Sequence, residues 1–371
     1  MLTELDDCLW HQLPTTFDHV WTSDPRFFDR FWFASYAPDG SAAMQFTMGV
    51  YRNMNVMDGG FVLVEGDRQY NIRVSRTLGQ HNVMECGPLS VDVLEPLRTL
   101  ALRVRGGDRV NGELTWTAVA RPVEEAPHFR RLNGRTIEDY QRYNQIGSVS
   151  GHLVVDGREV RVDSWWACRD HSWGVRPGMA VKEVQNGPKD TLEKRGYTLS
   201  FLFFSAGPLS GTLLLQKREG DASYISGELM HAGDGTSMKV AELTIEPELI
   251  AGTRRFRTIV LTARLKDGRA LKLHCHRSGN AIAMQGLGYS GGYNDRKGLG
   301  AWRGDQVVEQ DVWNVEHPAK IVYDSEREPD EHWHRIQPVT IQCSLDDVQY
   351  EGQGSMTLTL GGKIPSLGLG L

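Results

Sequence analysis

Five Asp-Gly pairs, at 39–40, 58–59, 156–157, 234–235 and 267–268, punctuate the chain, and around them apolar residues recur at every second position. Few folds accept that pattern. Asp-Gly suits the two-residue hairpin turn because both central residues there take positive φ. Period-two alternation marks a strand with one buried face and one wet face. Two hairpins can be read directly. In one, His152–Val162 folds back at Asp156-Gly157. In the other, Leu261, Ala263 and Leu265 alternate up one strand, and after Asp267-Gly268, Leu271, Leu273 and Cys275 alternate down the next.

Further strands are predicted at 41–51, 60–65, 69–75, 99–105, 112–120, 197–204, 211–217, 223–230, 238–246, 338–343 and 354–360. Helical candidates are short: 93–98, and 136–143, where Thr136 is placed to cap a turn holding Glu138 and Asp139. The expected class is all-β, with two lipocalin-like antiparallel barrel or sandwich domains packed together. The polar stretch 185–195 reads as a linker. It divides the chain into an N-terminal β domain, 1–184, and a C-terminal one, 196–371.

Composition narrows the function classes. A net charge of −6 gives no support to nucleic-acid binding. No run of ~18 uninterrupted apolar residues is present to span a membrane as a helix, and the acidic N-terminus lacks the apolar core of a signal peptide. Five scattered cysteines, none in a C-x-x-C pair, argue against both a disulfide framework and a zinc ribbon. We expect a reduced, cytoplasmic protein, with homodimerisation left open.

Two motif families are weighed and set aside. Gly286-Leu-Gly288-Tyr-Ser-Gly291 fits G-x-G-x-x-G, and Gly288-Tyr-Ser290-Gly-Gly292 fits G-x-S-x-G. Both need a helix to follow, and Tyr-Asn-Asp-Arg-Lys-Gly does not start one. The segment reads as a glycine-rich loop. The pairs His274/His276 and His332/His334 have the spacing that puts two ligands on one strand face. Alternation sets the first pair opposite Leu271, Leu273 and Cys275. The second lies in an acidic, polar stretch. Neither brings a third ligand, so no metal residue is assigned.

The run Ser164–Arg176 is different. It gathers Trp165, Trp166, Arg169, Asp170, His171, Trp173 and Arg176. A small-molecule pocket needs apolar walls and a few fixed polar groups. A carboxylate beside an imidazole holds its tautomer and raises its basicity, and a guanidinium keeps the carboxylate ionised. His171 is the expected proton shuttle, Asp170 its orienting partner, and Arg169 or Arg176 the group that meets developing oxyanion charge. Upstream, Tyr143 and Gln145 are placed to position a substrate oxygen, and the three Trp residues form walls. A structural reading competes: Arg169 and Asp170 form a buried ion pair, His171 bonds a carbonyl, and the run is a seam between domains. The aromatic stretch Phe27–Phe33 and Trp21 read as core or lid.

These residues carry a resemblance. Tyr143-Asn-Gln145-Ile-Gly147-Ser-Val-Ser-Gly151, the Asp156-Gly157 turn and Arg169-Asp170-His171-Ser172-Trp173-Gly174-Val-Arg176 resemble the hydroxyneurosporene synthase (carotenoid 1,2-hydratase)-like proteins. That group also includes fungal pericyclases of Diels–Alderase type, and the chain looks like a bacterial branch of it. The resemblance implies two lipocalin-like domains, a hydrophobic ligand between or inside them, and no organic cofactor. The expected function is a lyase- or hydratase-type acid–base enzyme, or an isomerase, acting on a terpenoid or aromatic molecule. A non-catalytic carrier of an apolar ligand is the alternative from another class, and a metal-dependent β-barrel enzyme a weaker one.

Overall fold

Alternation in the sequence becomes paired strand along the chain in the computed structural model, which describes residues 4–9, 19–79, 83–132, 134–179, 196–289, 293, 295, 297–323, 328, 330–331 and 334–370. These form two units, Met1–Pro188 with Met284–Trp313, and Lys189–Ala283 with Asn314–Leu371. The return of Met284–Trp313 to the first unit is an excursion that a single cut at a linker does not describe. The linker itself, 185–195, lies outside the described residues.

The first unit holds β1 (Phe27–Tyr36), β2 (Ala42–Tyr51), β3 (Val56–Glu65), β4 (Arg68–Thr77), β5 (Glu85–Cys86), β6 (Leu89–Glu95), β7 (Thr99–Val104), β8 (Val110–Ala118), β9 (Val123–Glu124), β10 (His128–Leu132), β11 (Arg135–Val155) and β12 (Arg158–Val175). The hydrogen-bonded order runs β4-β3-β2-β1-β12-β11-β8-β7-β6-β5, with β9 and β10 also pairing β11. Phe31, Met48, Ile72, Leu102, Trp116 and Val149, from strands far apart in that order, share one buried cluster. The sheet therefore curls around a common core, and β3 also touches β5 and β6.

The second unit contains β13 (Tyr197–Ala206), β14 (Leu209–Arg218), β15 (Tyr224–His231), β16 (Ser237–Leu249), β17 (Phe256–Leu265), β18 (Ala270–Arg277) and β19 (Ile282–Ala283). After β20 (Gln306–Asn314), which lies beside β4, come β21 (Lys320–Tyr323), β22 (Asp330–Glu331), β23 (Arg335–Leu345) and β24 (Val348–Gly361). Strands β13 to β18 follow one another, β24 pairs β13, and β23 pairs both β24 and β18. That closes an antiparallel barrel and leaves it no free edge. The hairpin at 261–275 forms as read: Leu261 faces Leu273 across β17 and β18, and Leu271, Leu273 and Cys275 are fully buried. Burying a leucine of this kind stabilises the fold by about 1.5–3 kcal/mol.

Three local expectations are corrected. Residues 136–143 lie within β11, held between β10 and β12 rather than in a helical turn. Residues 93–98 end β6 and turn into β7, with Leu97 at φ 59°. The pair Asp58-Gly59 sits inside β3 and makes no turn. Glycine is needed there for close approach instead. A Cβ on Gly59 would lie 2.8 Å from the Thr47 carbonyl oxygen, and one on Gly60 would lie 2.7 Å from Leu287 Cα. The segment after Met284 thus lies directly on β3. Gly286 of the glycine-rich motif packs the same way, 2.1 Å from Asn71 Oδ1 if it carried a Cβ. Ser290, Gly291 and Gly292 lie outside the described residues.

Candidate active site

The Trp/Arg-Asp-His run is the second half of β12, between β1 and β11. Its register shifts opposite Val149–Gly151, so that Val162 faces Gly151 and Trp165 faces Val149. The extra residue on β12 is a β-bulge, and Ser164 takes φ 51° there. The bulge changes which residues point inward. Before it, Val162 enters the core; after it, Trp165 and Ala167 do. Arg169, His171 and Trp173 continue the inward series, and Cys168, Asp170 and Ser172 face the other way.

The inward face carries a ladder of polar groups. Arg169 donates from Nη1 to Asp7 Oδ1 at 2.6 Å, and from Nε and Nη2 to Gln145 Oε1 at 3.0 and 2.8 Å. Gln145 passes its own amide protons to the carbonyls of Leu97 and Ala120. Tyr143 donates to Asp7 Oδ1 at 2.8 Å, and the Leu97 amide donates to Asp7 Oδ2 at 2.6 Å. His171 places Nδ1 3.3 Å from the Tyr143 oxygen and Nε2 2.7 Å from Asp29 Oδ1. Asp7, Arg169, Tyr143 and His171 are all 0% exposed. Around them, Arg169 lies over the Trp116 ring at 4.6 Å, and Phe31 and Trp173 flank His171. Burial alone would depress the Arg169 guanidinium, but Tyr143 and Asp7 more than offset it and raise its pKa.

The outward face is arranged differently. Asp170 pairs in register with Asn144 of β11 and Trp32 of β1. Its nearest cationic partner is Arg142, at 4.0 Å, and its side chain is 16% exposed. Among the described residues no donor lies within hydrogen-bond distance of its carboxylate. Burial pushes the Asp170 carboxyl up to about 6, with Arg142 and Arg176 drawing it back only in part. Beyond Arg142 stands a second pair. Glu125 lies 2.6 Å from His128 Nε2 and accepts from Asn144 Nδ2 at 2.6 Å. Burial holds His128 below the usual imidazole range despite Glu125. The Asn144 Oδ1 atom is buried with no partner among the described residues. An aromatic patch borders these groups: His128 stacks on Tyr140 at 4.2 Å, Tyr140 lies 6.1 Å from Phe28, and Arg176 sits over Phe28 at 4.5 Å.

The expected site residues therefore divide. Arg169, His171, Tyr143, Gln145, Trp165 and Trp173 belong to the inward face, and Asp170 and Trp166 to the outward one, Trp166 stacking on Tyr36 at 5.8 Å. Arg176 follows β12 and electrostatically joins the Asp170 group. The pairing of Asp170 with His171 is corrected, because neighbours on a strand point to opposite faces. Asp29 is the partner of His171. The buried ion pair read between Arg169 and Asp170 is likewise between Arg169 and Asp7. Sequence reasoning missed Asp7, Asp29, Glu125, His128, Arg142 and Asn144. Asn144 stands within the Tyr143–Gly151 segment and Arg142 just before it, and alternation from Tyr143 and Gln145 is the signal that sets them on the other face. His274 is half-buried and His276 exposed, on the side away from the barrel core, and His332 lies outside the described residues. Among the described residues, no group of three or more His, Cys, Asp or Glu side chains is placed to hold a metal ion, and no helix is long and apolar enough to cross a membrane.

Residues 2–337 match the model of a family of unknown function, DUF8625. The chain belongs to that family. No curated protein matches it in sequence. Solved structures do match this DUF8625 member in fold. CghA, solved with Sch210972, is similar at 12% identity and a TM-score of 0.52, over 91% of this chain and 89% of its own. An AttH-like protein of Nitrosomonas europaea is similar at 12% identity and a TM-score of 0.53, over 94% of this chain and 97% of its own. At this identity the likeness carries the fold, and it is the all-β, lipocalin-like one expected from the sequence.

Proposed function

We propose that this DUF8625 protein is an acid–base enzyme working without an organic cofactor on a hydrophobic small molecule, with Asp170 as the group that takes and returns the proton. One observation carries the reading: a partly accessible carboxyl with a pKa of about 6 and no hydrogen-bond donor, standing 4.0 Å from a guanidinium. Structural carboxylates satisfy their lone pairs, as Asp7 and Asp29 do. A carboxyl left unsatisfied, with its pKa moved toward neutrality, is poised for proton transfer.

The chemistry follows from the neighbours. Asp170 removes a proton from carbon, and the charge that develops on a substrate oxygen meets Arg176 or Arg142. Returning the proton to another carbon gives isomerisation. Delivering it to a departing hydroxyl gives elimination with release of water, and the reverse gives hydration. Tyr140 and Trp166, each 8% exposed, are the aromatic side chains of this face that a terpenoid or aromatic body would meet. His171, Arg169, Tyr143 and Gln145 serve this site by fixing the register of β1, β11 and β12, a positioning role.

The test uses phenolic and terpenoid alcohols and ketones incubated with the protein in D2O, followed by mass spectrometry. Deuterium uptake, or gain or loss of one water, is expected for at least one compound. Asp170→Asn should reduce that turnover by about 10²–10⁴-fold while the compound still binds. A compound that binds tightly and neither exchanges nor changes mass would establish the carrier reading instead.

A further inference from the structure

Beside Asp170 stands one polar atom that the proposed chemistry does not use. Asn144 of β11 lies directly opposite Asp170 in the β11–β12 register. Residues so placed have their Cβ atoms about 4.5–5.5 Å apart on one face of the sheet. Asn144 is 1% exposed. Its Nδ2 donates to Glu125 Oε1 at 2.6 Å, and its Oδ1 is buried with no partner among the described residues.

Chemistry fixes which way that amide points. Burial would raise the Glu125 carboxyl, but Arg142, His128 and Asn144 hold it below the usual range. It is therefore ionised and can only accept, so the amide atom facing it is the nitrogen. Glu125 follows β9, which pairs β11 on the side away from β12. With Nδ2 drawn to that side, Oδ1 is left toward β12 and Asp170. A fixed acceptor beside a carboxyl needs a donor. A ketone or ether oxygen brings only lone pairs and would close Oδ1 off from water without a partner. A hydroxyl donates to Oδ1 and keeps its own lone pairs for the proton that Asp170 carries. An ammonium also donates, but Arg142 stands 4.0 Å from the same carboxyl and disfavours a second cation.

Building on the reading of Asp170 as the acid–base group, we propose that Asn144 is the specificity-determining residue of this site. Its Oδ1 accepts the hydrogen bond of a substrate hydroxyl and sets that hydroxyl beside Asp170. The substrates are therefore alcohols, and ketones or ethers that lack a hydroxyl are rejected. Glu125 is a positioning residue, acting through the orientation of the Asn144 amide.

Calorimetric titration of the full chain with cinnamyl alcohol and α-terpineol, each against its methyl ether, tests this. At least one alcohol is expected to bind about tenfold or more tightly than its ether. Asn144→Leu should abolish that preference while the ether binds as before. If Asn144→Leu does not fold, Glu125→Gln gives the same test. Its amide donates as well as accepts, so Asn144 is no longer held one way, and the preference should narrow to less than about threefold. The proposal fails if the ethers bind as tightly as the alcohols, if neither alcohol gives saturable heat, or if the folded variant keeps the full preference. Turnover separates the two readings. An alcohol preference without Asp170-dependent turnover overturns the acid–base reading and leaves the hydroxyl subsite. Asp170-dependent turnover with no such preference overturns the subsite alone.

Discussion

The two faces of β12 hold similar residue types to opposite effect. Inward, two carboxylates, a guanidinium and an imidazole are linked by hydrogen bonds. Outward, Asp170 has guanidiniums near it but none in bonding contact. Ionisable groups within one run of sequence thus divide into a hydrogen-bonded set and a carboxyl that accepts no hydrogen bond among the described residues. Satisfaction of hydrogen bonds, more than burial or residue type, distinguishes the two faces.

The largest expected effect tests the inward face. Arg169→Ala leaves Asp7 as a buried carboxylate without its guanidinium, and the loss should be about 3–5 kcal/mol in urea unfolding. A loss below about 1 kcal/mol would mean that the ladder is not what fixes these strands.

Next comes Asp170, where the sign reverses. Burial raises its pKa in the folded chain to about 6, above the 3.8 expected for the unfolded one. The folded state therefore holds the proton more tightly, so this contribution to stability is complete at low pH and is lost as pH rises through about 6. Asp170→Asn cannot ionise. It should match the parent protein below about pH 3 and exceed it by about 1–3 kcal/mol at pH 7.5. Equal stability of the two proteins at both pH values would remove the pKa argument for the site.

The smallest effect is Tyr143→Phe, which removes one hydroxyl while Arg169 still holds Asp7. About 1 kcal/mol should be lost. A loss as large as that of Arg169→Ala would mean that Tyr143 and His171, not the ion pair, dominate the inward face.

How much of this the amino-acid order discloses depends on range. Alternation at Leu271, Leu273 and Cys275 is a local signal, and the barrel hairpin follows from it. The orientation of Asp170 and His171 is not local. Carried forward from Val160 and Val162, alternation turns Asp170 inward and His171 outward, the reverse of the structure. One extra residue near Ser164 flips the phase, and only the pairing with β11 discloses it. The partners of the ladder are more distant still. Asp29 stands in an aromatic stretch read as core or lid, and Asp7 in an acidic N-terminal segment read only for what it excludes. The helical reading of 136–143 rested on capping residues, and tertiary pairing on both sides of β11 overrode it.

The anchoring of Asp7 also sets an order of events. Its partner Arg169 lies 162 residues further along the chain, and Asp29 waits 142 residues for His171. During synthesis both carboxylates emerge long before the cations that neutralise them. The ladder can close only after β1 and β11 have flanked β12, so it works as a latch on finished assembly, and contacts of such long range slow the search that precedes them. A ribosome stalled before β12 would hold a first unit whose hairpins can form but whose innermost charges have nothing to close on.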